Sequence, residues 1–332
     1  MSQHGGTMSI TQYREAYKTE QGFEYPFFFE QYQKALASVW RPQEVSFESD
    51  IRDWQNASDS EKEIVAGILR GFTILETHVS CYWSRVADWF PKHEIAAAAR
   101  MFSLSEVIHS EAYNLLSDTL GLNEFEAFLG DPIAQQKIGY FLENRSVKES
   151  LAVFSGAGEG VSLFSSFSVL LSLNLTGKYR GLAQIISWSI QDEQQHSDTG
   201  IQLFRELIKE DPLTTEEATT ISQGFKAVLR NEDAFLNQIF EGRTIETITL
   251  YDTKQYLRWR ANDRIEKMGV SMPLFHVDKE AAYRVKQWFD PIAQGATSTD
   301  FFAQTKSGDS YVAKPAQDFN SVNLKTLDLT LV

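Results

Sequence analysis

Apolar residues along this chain recur at the three-and-four spacing of amphipathic helices for most of its length. They recur helically from Phe27-Phe28-Phe29 through Leu36 and Val39; Pro42 stops that helix and leaves Trp40 at its end or in the turn. Ser58-Asp59-Ser60-Glu61 is a capping box that opens a long helix over 59–88, with Ile64, Ile68, Phe72, Leu75 and Val79 as its buried stripe. Pro91 fits the first turn of the next helix, which spans 91–120 and ends at Gly121. Asp131-Pro132 opens another, to about Asn144. An apolar, Ser-rich helix over 147–175 and a long helix over 178–209 follow, then helices over 214–240, 251–268 and 279–289. No convincing two-residue alternation occurs, although 244–250 is ambiguous. The expectation is an all-α protein whose four-helix bundle core is 59–88, 91–120, 147–175 and 178–209, with further helices packed around it. Residues 1–25 read as a flexible N-terminal segment, 26–297 as one helical domain, and 298–332, where the periodicity stops, as a flexible C-terminal tail.

Certain polar residues interrupt these apolar stripes in a repeated way. Glu106-x-x-His109 puts a carboxylate and an imidazole on one helix face, and Tyr113 extends the row by about 6 Å along the axis. Glu193-Gln194-Gln195-His196 repeats the pair. Each pair is preceded by an isolated glutamate in an apolar helix: Glu76 lies 30 residues before Glu106, and Glu159 lies 34 before Glu193. One Glu-x-x-His is weak evidence, since chance and surface placement explain most such matches. Two copies with matched solitary glutamates are much stronger. Two helices giving one carboxylate each and two giving a Glu-x-x-His pair is the donor set of dimetal-carboxylate, ferritin-like bundles. Four carboxylates buried in a bundle core would be very costly without cations. A mixed oxygen and nitrogen set suits iron or manganese. Glu159 is the most telling member, because its neighbours are apolar or small. Gly156, Gly158 and Gly160 crowd it, and each costs up to roughly 1 kcal/mol in a helix interior, which points to a distorted or tightly packed helix there.

Composition narrows the rest. Of 332 residues, 42% are hydrophobic and 23% charged, which supports a sizeable core. A formal net charge of −14 argues against nucleic acid and against anionic membranes. The single cysteine, Cys81, permits neither an intramolecular disulfide framework nor a cysteine zinc site. The polar stretch from Met1 to Thr11 shows no signal peptide, and the nearest approach to a membrane span, 151–175, is interrupted by Ser, Gly and Glu159, so a cytoplasmic address is expected.

Three segments carry a resemblance to a known family. Glu106-x-x-His109-x-x-x-Tyr113, Asp192-Glu193-x-x-His196 and Trp40-Arg41-Pro42-x-Glu44 together resemble the radical-generating small subunit of class I ribonucleotide reductase, over about 25–290. The resemblance implies that Glu76, Glu106, His109, Glu159, Glu193 and His196 ligate a dinuclear centre of two iron ions, manganese with iron, or two manganese ions. It implies a stored radical at Tyr113, a carboxylate at Asp192 orienting His109, Trp40 continuing that chain, and Phe167 in the wall of a dioxygen pocket. Tyr311 falls where the family relays the radical between subunits, and Leu324 to Val332 where its tail docks on the large subunit. The implied assembly is a homodimer that works with that large subunit to reduce ribonucleoside diphosphates. Glu76 stands where the commonest pattern has Asp, and Leu163 where many members have Phe. The rival readings share the bundle: a ligand-binding dimetal oxidase, which needs neither Trp40 nor the tail, and a ferritin-like metal store, which would hold many metals per chain.

Overall fold

The computed structural model describes residues 9–13, 22–122, 130–143 and 145–294, with the side chains of 73–79 excepted. The described residues form helices and no strand. In chain order the helices are α1 Pro26–Ala37, α2 Glu48–Asn56, α3 Asp59–Trp89, α4 His93–Leu120, α5 Pro132–Leu142, α6 Val147–Thr176, α7 Arg180–Glu210, α8 Thr215–Phe240, α9 Leu250–Met268 and α10 Lys279–Ala293. α3 packs along α4, α6 along α7, and α4 meets α7, which closes the expected four-helix core. Helices α8, α9 and α10 cover the outer side of α6 and α7.

Several boundaries differ from the sequence expectation. Pro91 lies outside α4, because Lys92 with extended backbone is the N-cap. α5 ends at Leu142, short of Asn144. Residues 244–249 lead into α9, with the Thr249 hydroxyl capping it. α10 runs through Pro291 to Ala293; the proline is tolerated within the last turn. Helix α2 was not expected at all. Its function is local: Asp50 accepts from the backbone N–H of Gly181 at 3.0 Å and of Leu182 at 2.7 Å, and so caps α7 from a different helix. Tyr179, just before α7, has φ of 51°, an unfavourable region for a large side chain. Asp53 holds its N–H at 2.8 Å and Glu61 accepts from its hydroxyl at 2.8 Å. The start of α7, and through it the phase of Asp192, Glu193 and His196, is therefore fixed from α2 and α3.

Within the N-terminal stretch, Ser9 and Ile10 donate to Glu210, Ile10 is fully buried, and the N–H groups of Glu24 and Tyr25 donate to Glu94. The tail from 295 onward, with Tyr311 and Leu324–Val332, lies outside the described residues.

α6 carries the distortion that its glycines announce. It starts as an α-helix, turns to π-helix over Leu151–Ser162, and returns to α over Leu163–Ser172. Every residue from 151 to 172 is buried. Among the described residues, α6 is the helix long and apolar enough to cross a membrane by composition, yet its apolar window is wholly buried in protein. Small residues let its neighbours close in. A Cβ on Gly160 would lie 2.8 Å from Cδ of Arg264, and one on Gly200 of α7 would overlap the Ser155 side chain.

That packing sets a test. Gly200→Ala should destabilise the protein by about 1–3 kcal/mol through overpacking against α6, read as a lower midpoint in denaturant unfolding, and Ser155→Gly in the same chain should recover most of the loss. An unchanged midpoint for the single variant would show that the α6–α7 contact is looser than described.

Candidate metal centre

The two Glu-x-x-His pairs face each other across the bundle. α4 contributes Glu106 and His109, α7 contributes Glu193 and His196, and the π-helical part of α6 contributes Glu159; all five are buried. Glu106, Glu159, Glu193 and His196 each offer a donor atom within 4.8 Å of the others. His109 joins them through Nδ1, which lies 3.1 Å from Glu106 Oε2 and 3.1 Å from Glu193 Oε1. His196 Nδ1 lies 2.7 Å from Glu106 Oε1. Glu76 is on α3, but its side chain lies outside the described ones.

The donor set fits metal ions better than it fits itself. Glu106 Oε1, Glu159 Oε2, both oxygens of Glu193 and His196 Nδ1 are buried without a hydrogen bond of acceptable geometry. Short N···O separations without that geometry suit atoms converging on a shared cation. Native interiors rarely leave such groups unsatisfied, and here they belong to four residues whose donor atoms lie within 4.8 Å of one another. The three described glutamates, with imidazole nitrogens beside them, are a donor set for hard or borderline divalent ions.

Electrostatics record the same crowding. Burial alone would push the two imidazoles down, but Glu106 beside each reverses this and holds His109 and His196 well above the ordinary histidine value. Burial would raise Glu106, but His196 and His109 outweigh it and hold Glu106 below the usual carboxylate range. Burial and the neighbouring Glu193 push Glu159 well above that range, against the pull of His196.

The surroundings orient the donors. His109 Nε2 lies 3.1 Å from Asp192 Oδ2, which also accepts from Trp40 Nε1 at 2.9 Å. With Nδ1 turned to the glutamates, Nε2 carries the proton that Asp192 accepts. The Trp40 ring stacks 5.7 Å from the His109 ring. Tyr113 is fully buried, its ring 6.4 Å from His109 and stacked 4.8 Å from Phe72, which in turn sits 5.0 Å from Phe167. Leu163 is buried at the end of the π-helix.

Two contributors were not singled out from sequence. Trp83 Nε1 donates to Glu159 Oε1 at 2.5 Å, and its ring lies edge-on to His196 at 5.7 Å. A signal existed, since Trp83 follows Glu76 by seven residues and so shares its helix face. Arg260 of α9 is buried, donates to the Gly160 carbonyl at 2.9 Å and to Gln194 Oε1 at 3.2 Å, and lies 3.3 Å over the Phe164 ring. It thus grips the residue after Glu159 and the residue after Glu193. No local pattern marks it, because its partners are 100 and 66 residues away.

The comparisons agree with this geometry. A family model described as ribonucleotide reductase, small chain, matches residues 20–282. A protein of Invertebrate iridescent virus 6 named probable ribonucleoside-diphosphate reductase small subunit is 30% identical over 79% of this chain and 85% of its own. A ribonucleoside-diphosphate reductase subunit beta of Halalkalibacterium halodurans is 26% identical over 82% of this chain and 83% of its own. Among solved structures, a dimanganese(II)-NrdF of Streptococcus sanguinis superposes with a TM-score of 0.72 at 20% identity, over 86% of this chain and all of the other, and shows the shared fold.

Two outcomes test the site. His109, His196 and Glu159 all favour the protonated form in the folded protein, so metals must displace protons and metal affinity should fall as the pH is lowered. The sign for stability follows: after chelation, the raised imidazoles contribute below the ordinary value of 6.5, and that contribution is lost as the pH rises through their raised values. Calorimetric metal titration in buffers of different ionisation enthalpy should show proton release, and buffer-independent heats would refute it. Asp192→Asn should weaken metal binding by about 10–100-fold, since Asp192 fixes the His109 tautomer, measured by competition with a chelator.

Proposed function

The chain belongs to the ribonucleotide reductase small-chain family, and on that premise we propose that Glu76, Glu106, His109, Glu159, Glu193 and His196 hold a pair of iron or manganese ions. The protein is the small subunit of a class I ribonucleoside-diphosphate reductase and pairs with a large subunit. It carries a dinuclear metal site of the iron, manganese–iron or manganese kind. When bound, such a pair supplies oxygen activation and thereby an oxidising equivalent.

The chain's own residues do the remainder. Asp192 holds the Nε2 proton of His109 and the Nε1 proton of Trp40, which links the donor cluster to the buried Trp40 indole. This continuous hydrogen-bonded line beside the donor cluster is the observation that carries the reading. A storage protein or an oxidase acting within its own pocket has no need of it. Tyr113 sits in an apolar enclosure with Phe72, where water is excluded from the phenol, and is assigned the stored radical. Phe167 continues that wall through Phe72. Tyr311 and Leu324–Val332 are assigned the relay and the docking on the large subunit. The working form is a homodimer in the cytoplasm, with 26–297 as its metal-bearing domain and 298–332 as the docking tail.

His109→Ala or Glu193→Ala should lose both bound metal and reductase activity assayed with the cognate large subunit; undiminished activity would end the proposal. Truncation after Asp300 should keep the metals and abolish activity, whereas an oxidase would remain active. Electron paramagnetic resonance on the aerobically metallated protein should show a sharp radical signal that Tyr113→Phe removes. A manganese signal surviving that substitution would move the oxidising equivalent onto the metals and make Glu76 the departure that matters.

A further inference from the structure

The donor cluster has two ends, and each ends in an indole. At the His109 end, Trp40 donates to Asp192 and lies 5.2 Å from the half-buried Trp188. At the His196 end, Trp83 donates to Glu159. Trp83 does not stop there. Its ring meets Tyr82 edge-on at 5.3 Å, and Tyr82 meets Trp89 edge-on at 6.2 Å. Trp83 and Tyr82 are 1% and 2% exposed, while Trp89, at the last turn of α3, is half-buried and reaches solvent. Tyr82 is also stacked 3.9 Å from Phe154 of the π-helix and hydrogen-bonded to Ser155, so its ring is fixed from both sides.

We propose that Trp83, Tyr82 and Trp89 form a second electron path, running from the Glu159–His196 end of the metal site to the surface, through which a stranded oxidising equivalent is discharged to a thiolate in solution. Trp40 already serves delivery toward the large subunit, so this line leaves the site elsewhere. Where no proton can leave, an indole gives up an electron more readily than a phenol or a phenyl ring, and rings in edge contact give short steps between them. The electron count closes in one-electron steps. Trp83 fills the hole in the site and is refilled by Trp89 across the bridging Tyr82 ring. Tyr82 passes the electron without releasing its phenolic proton, which the buried ring keeps. A thiolate then gives one electron to the oxidised Trp89 and becomes a thiyl radical. Without a thiol, oxidised Trp89 loses its indole proton to water and the neutral radical combines with dioxygen, leaving an oxygen adduct on its ring. A site that makes a strong oxidant gains from an outlet that keeps damage away from its ligands.

The inference rests on the reading that the cluster holds a redox-active metal pair, and its test separates the two. Iron-loaded and zinc-loaded full-length protein are exposed to oxygen without thiol or large subunit, and metal content and peptide mass are determined on the same samples. Oxygen adducts should collect on Trp89 in the iron form only, disappear when thiol is added, and fall to the zinc level in Trp83→Phe. In Trp89→Phe the adducts should move inward to Trp83. Should Trp83→Phe lose its metals, the Trp89→Phe arm still decides. Metals bound with Trp89 oxidised no more than in the zinc form, or Trp89→Phe leaving Trp83 unmodified, would overturn the path alone. Failure to bind metals at all would overturn the site reading and the path with it.

Discussion

Everything in this molecule answers to one constraint: carboxylates held in a bundle core without water. Taking an ionised carboxylate from water into an apolar interior costs several kcal/mol even after the surroundings relax. Glu106, Glu159 and Glu193 are buried within reach of one another, and Glu106 and Glu193 crowd the charge of Glu159. Two imidazoles from the same helices offset part of this, and cations fitted among the five described donors offset the rest. The helices around the site are built to withstand that strain. α7 is pinned at its start by Asp50 and Asp53, and α6 is sealed on every side.

The same constraint sorts the polar residues around the donors by what they hold. Asp192 fixes the ring of His109, Trp83 fixes an oxygen of Glu159, and Arg260 fixes the backbone beside Glu159 together with Gln194 beside Glu193. Three helices thus reach into the site with one orienting group each. Such partners orient the groups that would ligate a metal, so they matter nearly as much as the donors.

How much of this could be read from residues alone follows from the range of each interaction. The Glu-x-x-His pairs were legible because three-residue spacing on a helix is a local fact, and the paired solitary glutamates because burial of a lone Glu is rare. The distortion of α6 was legible from Gly156, Gly158 and Gly160, although the sequence does not state that it takes the π form. Helix α2 was missed because it is short and mostly polar, with Asp50 its fully buried residue, and because its value lies in capping a helix 131 residues away. Pro91 was placed inside α4 because proline suits a first turn equally well just outside it. Arg260 was invisible for the same reason as Asp50: its partners are distant in sequence and near only once α9 lies across α6 and α7.

The π-helical part of α6 has one more consequence, which concerns length. A residue removed from an α-helix turns all that follows by about 100° about the axis. The wide turns over Leu151–Ser162 already hold more chain than an α-helix of the same rise. A one-residue deletion ahead of Glu159 would bring part of α6 nearer to ordinary α geometry and turn Glu159 out of its line with Glu193, in a helix buried on every face. The number of residues in that stretch, as much as their identities, therefore sets where Glu159 stands.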